Sequence, residues 1–412
     1  MMDAFKRTGA RWWLVAAALV FLCFGCITTG KEKSKALPAL VPVVPGEAGY
    51  PSFEDDLDFQ GLEEALFRSL VYYNRIPKTR TFTVGEDRYS VSEMIRSAVA
   101  LLYAIHEDPS PEAVAGFIRD NYRVYRSTGR DGKGEVLFTG YYEASLFGHT
   151  EETERYRYPV LSRPDDLVTI DISRFPGVKA SGKRHLIGRV TEKGTVVPYY
   201  TRHEADNGSA LLDRTEPLAW VDDPVDLFFL EIQGSGVITM ENGEELRVHY
   251  QTKNGHPYRS IGRYMIRQGF LEREAVSMQS IRRWLEENPE RRQEVFNYNP
   301  SMVFFMEEAK GPLGCYNVLV TPNRSIATDK RPFPACGIAF ITTEKPGETR
   351  PDEVLSWESF GRFVMNQDTG GAIKGPGRVD LFTGHGEEAE LTAGHMKQTG
   401  SLYFLVLKPS VR

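Results

Sequence analysis

Three aspartates in the C-terminal part of the sequence have the surroundings of chemically active groups. Asp329, Asp368 and Asp380 lie in turn-rich or glycine-flanked segments, and the last two are twelve positions apart in NQDTGGAIKGPGRVDLF, residues 366–382. Glycines beside an aspartate let the backbone approach a strand or a ligand closely. If the carboxylates converge, repulsion and burial raise the pKa of one above about 3.9, which makes it a proton donor near neutral pH. Asp next to Gly also forms ordinary turns, so this stretch alone leaves both interpretations open.

Other chemistries for the same region fit the sequence less well. The triplet Asp-Thr-Gly at 368–370 suits an aspartic protease, but that enzyme needs two carboxylates that share a proton. The chain has no second such triplet, which leaves only a small protease that dimerises. A phosphate loop is excluded because Gly375 is followed by Pro376 and not by Lys-Ser/Thr. The Gly-Ser-Gly at 234–236 lacks the first glycine of a nucleophile elbow and is interpreted as a tight turn between strands.

Composition narrows the class of protein. The chain has 412 residues, of which 41% are hydrophobic and 26% charged, so it is globular and long enough for two domains. Its net charge of −6 gives no electrostatic case for nucleic-acid binding. The eight histidines form no His-Glu-x-x-His motif and no Cys-x-x-Cys accompanies them, so neither a metal site nor a cofactor is predicted.

The N-terminus predicts export. Basic residues precede an apolar run from Trp12 to Gly25, which is short for a membrane span and typical of a signal peptide. Cys26 follows Gly25, as in a bacterial lipoprotein signal, although Cys23 replaces the usual leucine. Residues 1–26 are therefore predicted to be a lipoprotein-type signal with Cys26 lipidated in the periplasm; plain secretion or an uncleaved anchor are the alternatives. Residues 27–52 lack periodicity and are predicted to be a spacer.

Helices and strands are predicted in separate regions. Helical patterns cover residues 58–73 and 277–288, and two more helices begin after the capping box Ser90–Glu93 and after Ser110-Pro111. From Val136 onward the texture is β-rich, with strand-like runs at 136–144, 227–240 and 245–252. The fold class is therefore mainly β with flanking helices. Cys315 and Cys336 either form a disulfide in an oxidising compartment or remain free thiols.

Four longer stretches resemble a known family. They are GYYEA at 140–144, WVDDPVDLFFLEIQGSG at 220–236, NGHPYRSIGR at 254–263 and DTGGAIKGPGRVD at 368–380. Residues 136–408 resemble the membrane-bound lytic murein transglycosylase A family, glycoside hydrolase family 102, with its C-terminal three-aspartate (3D) module. The resemblance implies a double-psi β-barrel domain formed by residues 53–145 and 308–412. A second, smaller β-barrel domain, residues 146–307, is inserted in it, and a glycan groove lies between the two.

The resemblance also implies a reaction and its residues. The enzyme would cleave the β-1,4 bond between N-acetylmuramic acid and N-acetylglucosamine of peptidoglycan and leave a 1,6-anhydromuramic end. Asp380 would act as acid and then as base, and Asp368 and Asp329 would hold or tune it. The residues expected to bind the glycan are Tyr142, Glu143, Gln233, Ser235 and Tyr258. Expected partners are glycan strands, the membrane (by the lipid anchor, at the outer membrane) and cell-wall synthesis proteins. A non-catalytic peptidoglycan-binding lipoprotein and a lysozyme-like hydrolase are the alternatives.

Overall fold

The computed structural model describes residues 38–177, 185–206, 211–350 and 353–409. The signal segment with Cys26 lies outside the described residues. The helices of the described part are α1 (Leu62–Arg75), α2 (Val91–Glu107), α3 (Pro111–Asn121), α4 (Arg202–Asp206), α5 (Pro224–Gln233), α6 (Ile261–Gln268), α7 (Met278–Glu287), α8 (Arg292–Tyr298) and α9 (Glu387–His395). None of these helices has both the length and the apolar character needed to cross a membrane.

The strands of the same residues are β1 (Leu40–Val43), β2 (Thr81–Val84), β3 (Asp87–Ser90), β4 (Tyr122–Ser127), β5 (Val136–His149), β6 (Tyr158–Leu161), β7 (Leu167–Asp171), β8 (His185–Val190), β9 (Val196–Pro198), β10 (Pro217–Val221), β11 (Ser235–Met240), β12 (Glu245–Lys253), β13 (Val303–Glu307), β14 (Ser325–Ala327), β15 (Ile338–Pro346), β16 (Thr349–Arg350), β17 (Glu353–Val354), β18 (Trp357–Asp368), β19 (Arg378–His385) and β20 (Lys397–Leu407). The fold is mostly β with helices, as the sequence predicts.

Local capping signals place three of the helices where the sequence predicts them. Before α2, the Ser90 hydroxyl accepts from the Glu93 N–H at 3.3 Å and the Glu93 carboxylate accepts from the Ser90 N–H at 2.6 Å. The Ser110 hydroxyl caps α3, whose first residue is proline, and Ser277 caps α7. These side chains satisfy amide groups that have no partner inside the helix, which is why such short motifs predict helix starts well.

The predicted strand at 227–240 is wrong in its first half. Residues 224–233 form α5, which begins at the N-cap Asp223 and ends at Gly234 with φ 86°. The pattern misleads because much of α5 is buried, including Phe228 and Phe229, so no polar stripe reveals the helical period. The Gly-Ser-Gly turn therefore joins a helix to a strand, not two strands, and Ser235 begins β11.

The segment predicted as a spacer also contains structure. Leu40–Val43 forms β1, which pairs antiparallel with β4, and Leu40 is 1% exposed. The run LVPV is too short to show periodicity. It forms a strand because Leu40 is buried and because β4 offers an edge with which the segment can pair. The described part of the predicted spacer thus belongs to the folded body.

Five strands after residue 324 pair in a ring with β5. The hydrogen bonding runs β20–β15–β18–β14–β19–β5, and β5 also pairs with β20. Two of these pairings are parallel, β14 with β18 and β19 with β5. A cluster of buried apolar residues that includes Phe138, Val379 and Phe404 fills this region. Strand β5 continues beyond the ring and pairs with β10 and β11, so it connects the ring to residues 158–307.

Candidate active site

Asp368 and Asp380 lie on either side of one short strand. Ala327 of β14 is the register partner of Asp368 on β18 and of Asp380 on β19. Because neighbouring strands are about 4.8 Å apart, the two aspartate backbones are roughly 10 Å apart. Asp329 follows β14 by two residues. The fold therefore brings all three predicted aspartates to the same end of three adjacent strands.

The carboxyl group of Asp380 is held by β5 and by its own strand. Thr139, its register partner on β5, donates a hydrogen bond from its hydroxyl to Oδ1. Nε of Arg378 donates to the same oxygen at 3.3 Å, and its Nη2 donates to the Thr139 hydroxyl at 3.2 Å. Burial raises the pKa of Asp380, and Arg378 and Thr139 only partly offset the rise. Since 19% of the side chain is exposed, this acid retains access to a substrate.

Asp368 is fixed by the backbone at the end of β18. The Cys315 N–H donates to its Oδ1 at 2.8 Å. Burial raises the pKa of Asp368, against the effect of hydrogen bonds from the Thr369 and Cys315 amides and the Tyr141 hydroxyl and of the charge on Lys330. The carboxyl group is thus held at the end of β18, with β14 between it and the strand of Asp380.

Asp329 has a different environment. It is 4% exposed and accepts from Nη2 of Arg331 at 2.5 Å and from the Gly375 N–H at 2.7 Å. Burial opposes ionisation, but the hydrogen bonds from Arg331 and Gly375 outweigh it and lower the pKa of Asp329 to about 2. An ionised Asp329 therefore holds the glycine-rich loop between Asp368 and Asp380 through its hydrogen bond with the Gly375 N–H.

Sequence reasoning missed three polar residues around Asp380: Thr139, Tyr141 and Arg378. Thr139 and Tyr141 are the register partners of Asp380 and Phe382, so they lie on the face of β5 that Asp380 occupies on β19. Burial raises the pKa of Tyr141 most, followed by the charge of Asp368 and a hydrogen bond with its side chain, and then by the charge of Asp380. The signal was available: side chains alternate along a strand, so 139, 141 and 143 share one face and Tyr142 points to the other.

The structure buries two of the predicted glycan contacts in protein interactions. Tyr142 is 2% exposed in an apolar core, and its N–H donates to Oε1 of Gln233 at 3.1 Å. Glu143 is 4% exposed and accepts from Nη1 of Arg247 at 3.2 Å. Burial raises the pKa of Glu143, against the charges of Arg247 and His385.

The other predicted contacts lie where residues 220–260 approach β5. Gln233 ends α5, and Ser235, which is 5% exposed, begins β11. Tyr258 is 39% exposed and lies just before α6. Burial raises the pKa of Tyr258, while the Ser260 hydrogen bond and then the charge of Arg378 lower it, so this ring lies near the arginine that binds Asp380.

The two cysteines near Asp368 are free thiols in the structure, which agrees with the second of the two alternatives. Burial raises the pKa of Cys315 to about 12. Within the part of the chain that the structure describes, no three His, Cys, Asp or Glu side chains are grouped as metal ligands.

The site can carry out general acid–base chemistry. Asp380 has a raised pKa and an exposed edge, so it is able to donate a proton, and Thr139 and Arg378 hold its Oδ1. A buried second carboxyl, Asp368, lies one strand away, and a phenol lies on the same face of β5 as Thr139. A mostly β protein with one such acid in a partly open site has the features of an enzyme that works by acid–base catalysis.

Comparison with known proteins identifies the family. The model of the MltA specific insert domain matches residues 137–306, and that of the 3D domain matches residues 324–406. Membrane-bound lytic murein transglycosylase A of Escherichia coli strain K12 is 31% identical over 298 residues, which are 69% of this chain and 70% of that protein. The Vibrio cholerae serotype O1 relative of the same name is 31% identical over 285 residues, 68% of each chain.

A solved structure agrees with the sequence relatives. The crystal structure of a membrane-bound lytic murein transglycosylase from Agrobacterium tumefaciens has a TM-score of 0.71 and 29% identity, over 90% of this chain and 98% of that one. The chain belongs to the membrane-bound lytic murein transglycosylase A family.

Proposed function

We propose that the chain is a peptidoglycan lytic transglycosylase that cleaves the β-1,4 bond between N-acetylmuramic acid and N-acetylglucosamine and leaves a 1,6-anhydromuramic end. The observation that carries the proposal is Asp380, a partly exposed carboxyl with a raised pKa at the centre of the site. Membership of a family whose relatives carry this name supports it.

In the proposed reaction, protonated Asp380 donates its proton to the glycosidic oxygen. The bond from the anomeric carbon to that oxygen breaks, and the electron pair leaves with the oxygen. The C6 hydroxyl of the same muramic residue then attacks the anomeric carbon and gives its proton to the Asp380 carboxylate, which restores the acid. A glycosidase that uses water or a covalent intermediate needs a second carboxylate in direct contact. Here the intramolecular hydroxyl replaces water and benefits from proximity, so one carboxyl is sufficient.

Asp368 is proposed to stabilise the positive charge that develops at the anomeric carbon. If the sugar lies about as far from Asp368 as Asp380 does, two unit charges about 10 Å apart interact by about 1.7 kcal/mol at an effective dielectric constant of 20. We therefore expect Asp368→Asn to slow the cleavage step by roughly ten- to thirty-fold, with little change in glycan binding. Steady-state kinetics on soluble glycan strands test this. A variant as active as the wild type would remove Asp368 from the mechanism.

The finer architecture is proposed as follows. The strand ring β20–β15–β18–β14–β19–β5, with its two parallel pairings, supports a double-psi β-barrel made of residues 53–145 and 308–412. Residues 146–307 would form the second, smaller β-barrel domain inserted in it. The glycan would bind in a groove between them, with Tyr258 stacked on a sugar ring near Arg378. Gln233, Ser235, Tyr142 and Glu143 would shape the wall of the groove next to β5.

The proposed location follows from the leader and the relatives. Their names describe membrane-bound proteins, which supports an exported enzyme on the periplasmic side of the envelope. The lipid is proposed at Cys26, in the outer membrane, with cell-wall synthesis proteins as partners.

Digestion of purified peptidoglycan sacculi tests the function. We expect mass spectrometry of the released muropeptides to show species lighter by one water than the products of a hydrolase. Products that have gained water would indicate a lysozyme-like hydrolase, and binding to sacculi without products would indicate a binding protein.

The pH dependence has a definite sign. Asp380 must be protonated to start the reaction, and burial raises its pKa from the ordinary value of about 3.9. The rate is therefore expected to fall about ten-fold per pH unit above that raised pKa and not below it. Initial rates measured across pH, with circular dichroism to verify that the fold persists, check this. A rate that instead rises as Asp380 ionises would mean that it acts first as a base.

A further inference from the structure

Two exposed cations lie in the loops next to Asp380 without a partner of opposite charge. Arg130 belongs to the loop between β4 and β5, and Lys374 belongs to the glycine-rich loop between Asp368 and Asp380. Neither side chain forms an ion pair with an acid in the part of the chain that the structure describes. Since they contribute no ion pair to the fold, these two charges are left available to bind an anion.

The two loops pack directly on each other. A Cβ at position 377, which is glycine, would lie 2.3 Å from Cγ and 2.5 Å from the backbone N of Arg130, so any larger residue would force the loops apart. The Leu137 N–H, just after the first loop, donates to the Gly377 carbonyl at 3.0 Å. Arg130 therefore lies on the residue before Arg378, whose Nε donates to Asp380 at 3.3 Å.

Both loops are held by hydrogen bonds, so the two cations project from a fixed backbone. In the loop before β5, the Arg130 N–H donates to the Glu135 carbonyl at 2.9 Å. In the other loop, the Gly375 N–H donates to Asp329 at 2.7 Å and fixes the residue after Lys374. An ordered backbone lowers the entropy cost of binding, because the two side chains are then the main groups that remain to be ordered.

Most of the other charged side chains on these loops have partners. Lys133 lies beside Asp131, whose carboxylate accepts from the Lys133 N–H at 2.8 Å. Arg331 binds Asp329 at 2.5 Å. Glu135 is exposed and forms no ion pair with either of the two cations. The surface beside the proposed acid therefore keeps two positive charges that an anion of the substrate can reach.

The proposed substrate supplies such an anion. Each N-acetylmuramic acid carries a lactyl carboxyl, which is either free or joined to a stem peptide with carboxylates of its own. This group belongs to the sugar whose anomeric carbon would react at Asp380, so it is bound close to the acid. Lysine and arginine bind carboxylates through charge-assisted hydrogen bonds, which are stronger than those between neutral groups.

We propose that Arg130 and Lys374 bind a carboxylate of the substrate next to the cleaved bond, and that they make the enzyme prefer glycan strands that carry it. The two residues determine specificity and take no part in the proton transfers of Asp380. The inference rests on the proposed function and deepens it, because it states which form of the glycan the site binds best.

The test measures kinetics of the double variant Arg130→Gln, Lys374→Gln on three soluble forms of the glycan. They are strands with stem peptides, peptide-free strands with free lactyl carboxylates, and peptide-free strands whose lactyl carboxyl is converted to a methylamide. Exposed ion pairs are weak, so KM is expected to rise roughly three- to twenty-fold on the form that supplies the carboxylate. The value of kcat should stay near that of the wild type, and the methylamide form should show no change. High salt should remove the difference between the two enzymes.

Two further variants serve as controls. Arg96→Gln with Arg119→Gln removes the same charge from exposed positions on α2 and α3, and it should leave KM unchanged on all three forms. Arg130→Lys with Lys374→Arg keeps both charges on the loops, so it should restore most of the affinity that the glutamine variant loses.

Each outcome decides the proposal. A rise in KM on peptide-bearing strands assigns the carboxylate to the stem peptide, and a rise on peptide-free strands assigns it to the lactyl group; both support the proposal. An unchanged KM on both forms, or an equal rise on the methylamide form, would overturn it. The wild-type products separate this failure from that of the proposed function. If the wild type releases 1,6-anhydro ends and the double variant has normal KM, only the role of the two cations is wrong; if no anhydro ends form, the proposed function itself fails.

Discussion

Asp380→Asn is expected to reduce the release of muropeptides by about a thousand-fold or more, because in the proposed reaction this residue supplies both the acid and the base, and each is typically worth about 10²–10⁴ in rate. Asparagine has nearly the same shape and keeps an oxygen that accepts from Thr139 and Arg378, so folding and binding to sacculi should persist. The measurement is the initial rate of product formation together with sedimentation of the variant with sacculi.

A control for Asp380→Asn is the same change at an exposed position. Asp120, whose side chain is 73% exposed on α3, is suitable, and Asp120→Asn should retain full activity. An Asp380→Asn enzyme that releases product at more than a few per cent of the wild-type rate would refute the assignment of the acid. Loss of binding along with activity would instead mean that the substitution damaged the groove.

The largest effect on stability is expected for Asp55→Ala. Asp55 and Arg324 form an ion pair with both side chains fully buried, and two hydrogen bonds of 2.6 and 2.8 Å join them. Removing the carboxylate leaves a buried guanidinium without its charge partner, which costs about 3–5 kcal/mol. The pair also connects residues 55–60 to β14 and β18, since Arg324 donates to the Gln60 and Phe363 carbonyls. Urea denaturation of the wild type and the variant measures the loss.

A double substitution distinguishes the charge effect from lost packing. Asp55→Asn with Arg324→Met removes both charges at nearly unchanged volume, keeps an oxygen that can accept from neighbouring backbone N–H groups, and leaves no buried charge unpaired. The double variant should therefore be more stable than either single variant. If Asp55→Ala unfolds at the wild-type urea concentration, the ion pair does not hold this segment.

Sequence patterns predicted the parts of this fold that depend on local interactions. The Ser90 and Ser110 caps mark helix starts because a side chain satisfies neighbouring amides, whatever the rest of the chain does. The runs at 136–144 and 245–252 became β5 and β12 for a similar reason, since alternation or β-branched residues favour a strand locally. The helix predicted at 58–73 begins later, at Leu62, because Gly61 in a left-handed conformation (φ 74°) precedes it.

The features of the fold and the site that could not be predicted from the sequence depend on contacts between residues far apart in the chain. The helix α5 is hidden in an apolar run because it is buried by elements far away in the chain. Tyr141 and Tyr142 point to opposite faces of β5 because they are neighbours on a strand. Only the pairing of β5 with β19 shows which of these faces carries Asp380. The hydrogen bonds of Asp329 with Arg331 and Gly375 likewise require the folded loop, so the sequence could place that carboxylate in the module but not show what it binds.

Digestion of sacculi in water enriched in ¹⁸O tests the central claim most directly. A lytic transglycosylase closes the muramic ring with the C6 oxygen of the substrate, so the new ends should be 1,6-anhydro and carry no ¹⁸O. A hydrolase takes its oxygen from the solvent. Unlabelled anhydro products that disappear with Asp380→Asn are the predicted result, and reducing ends labelled with one ¹⁸O would contradict the account.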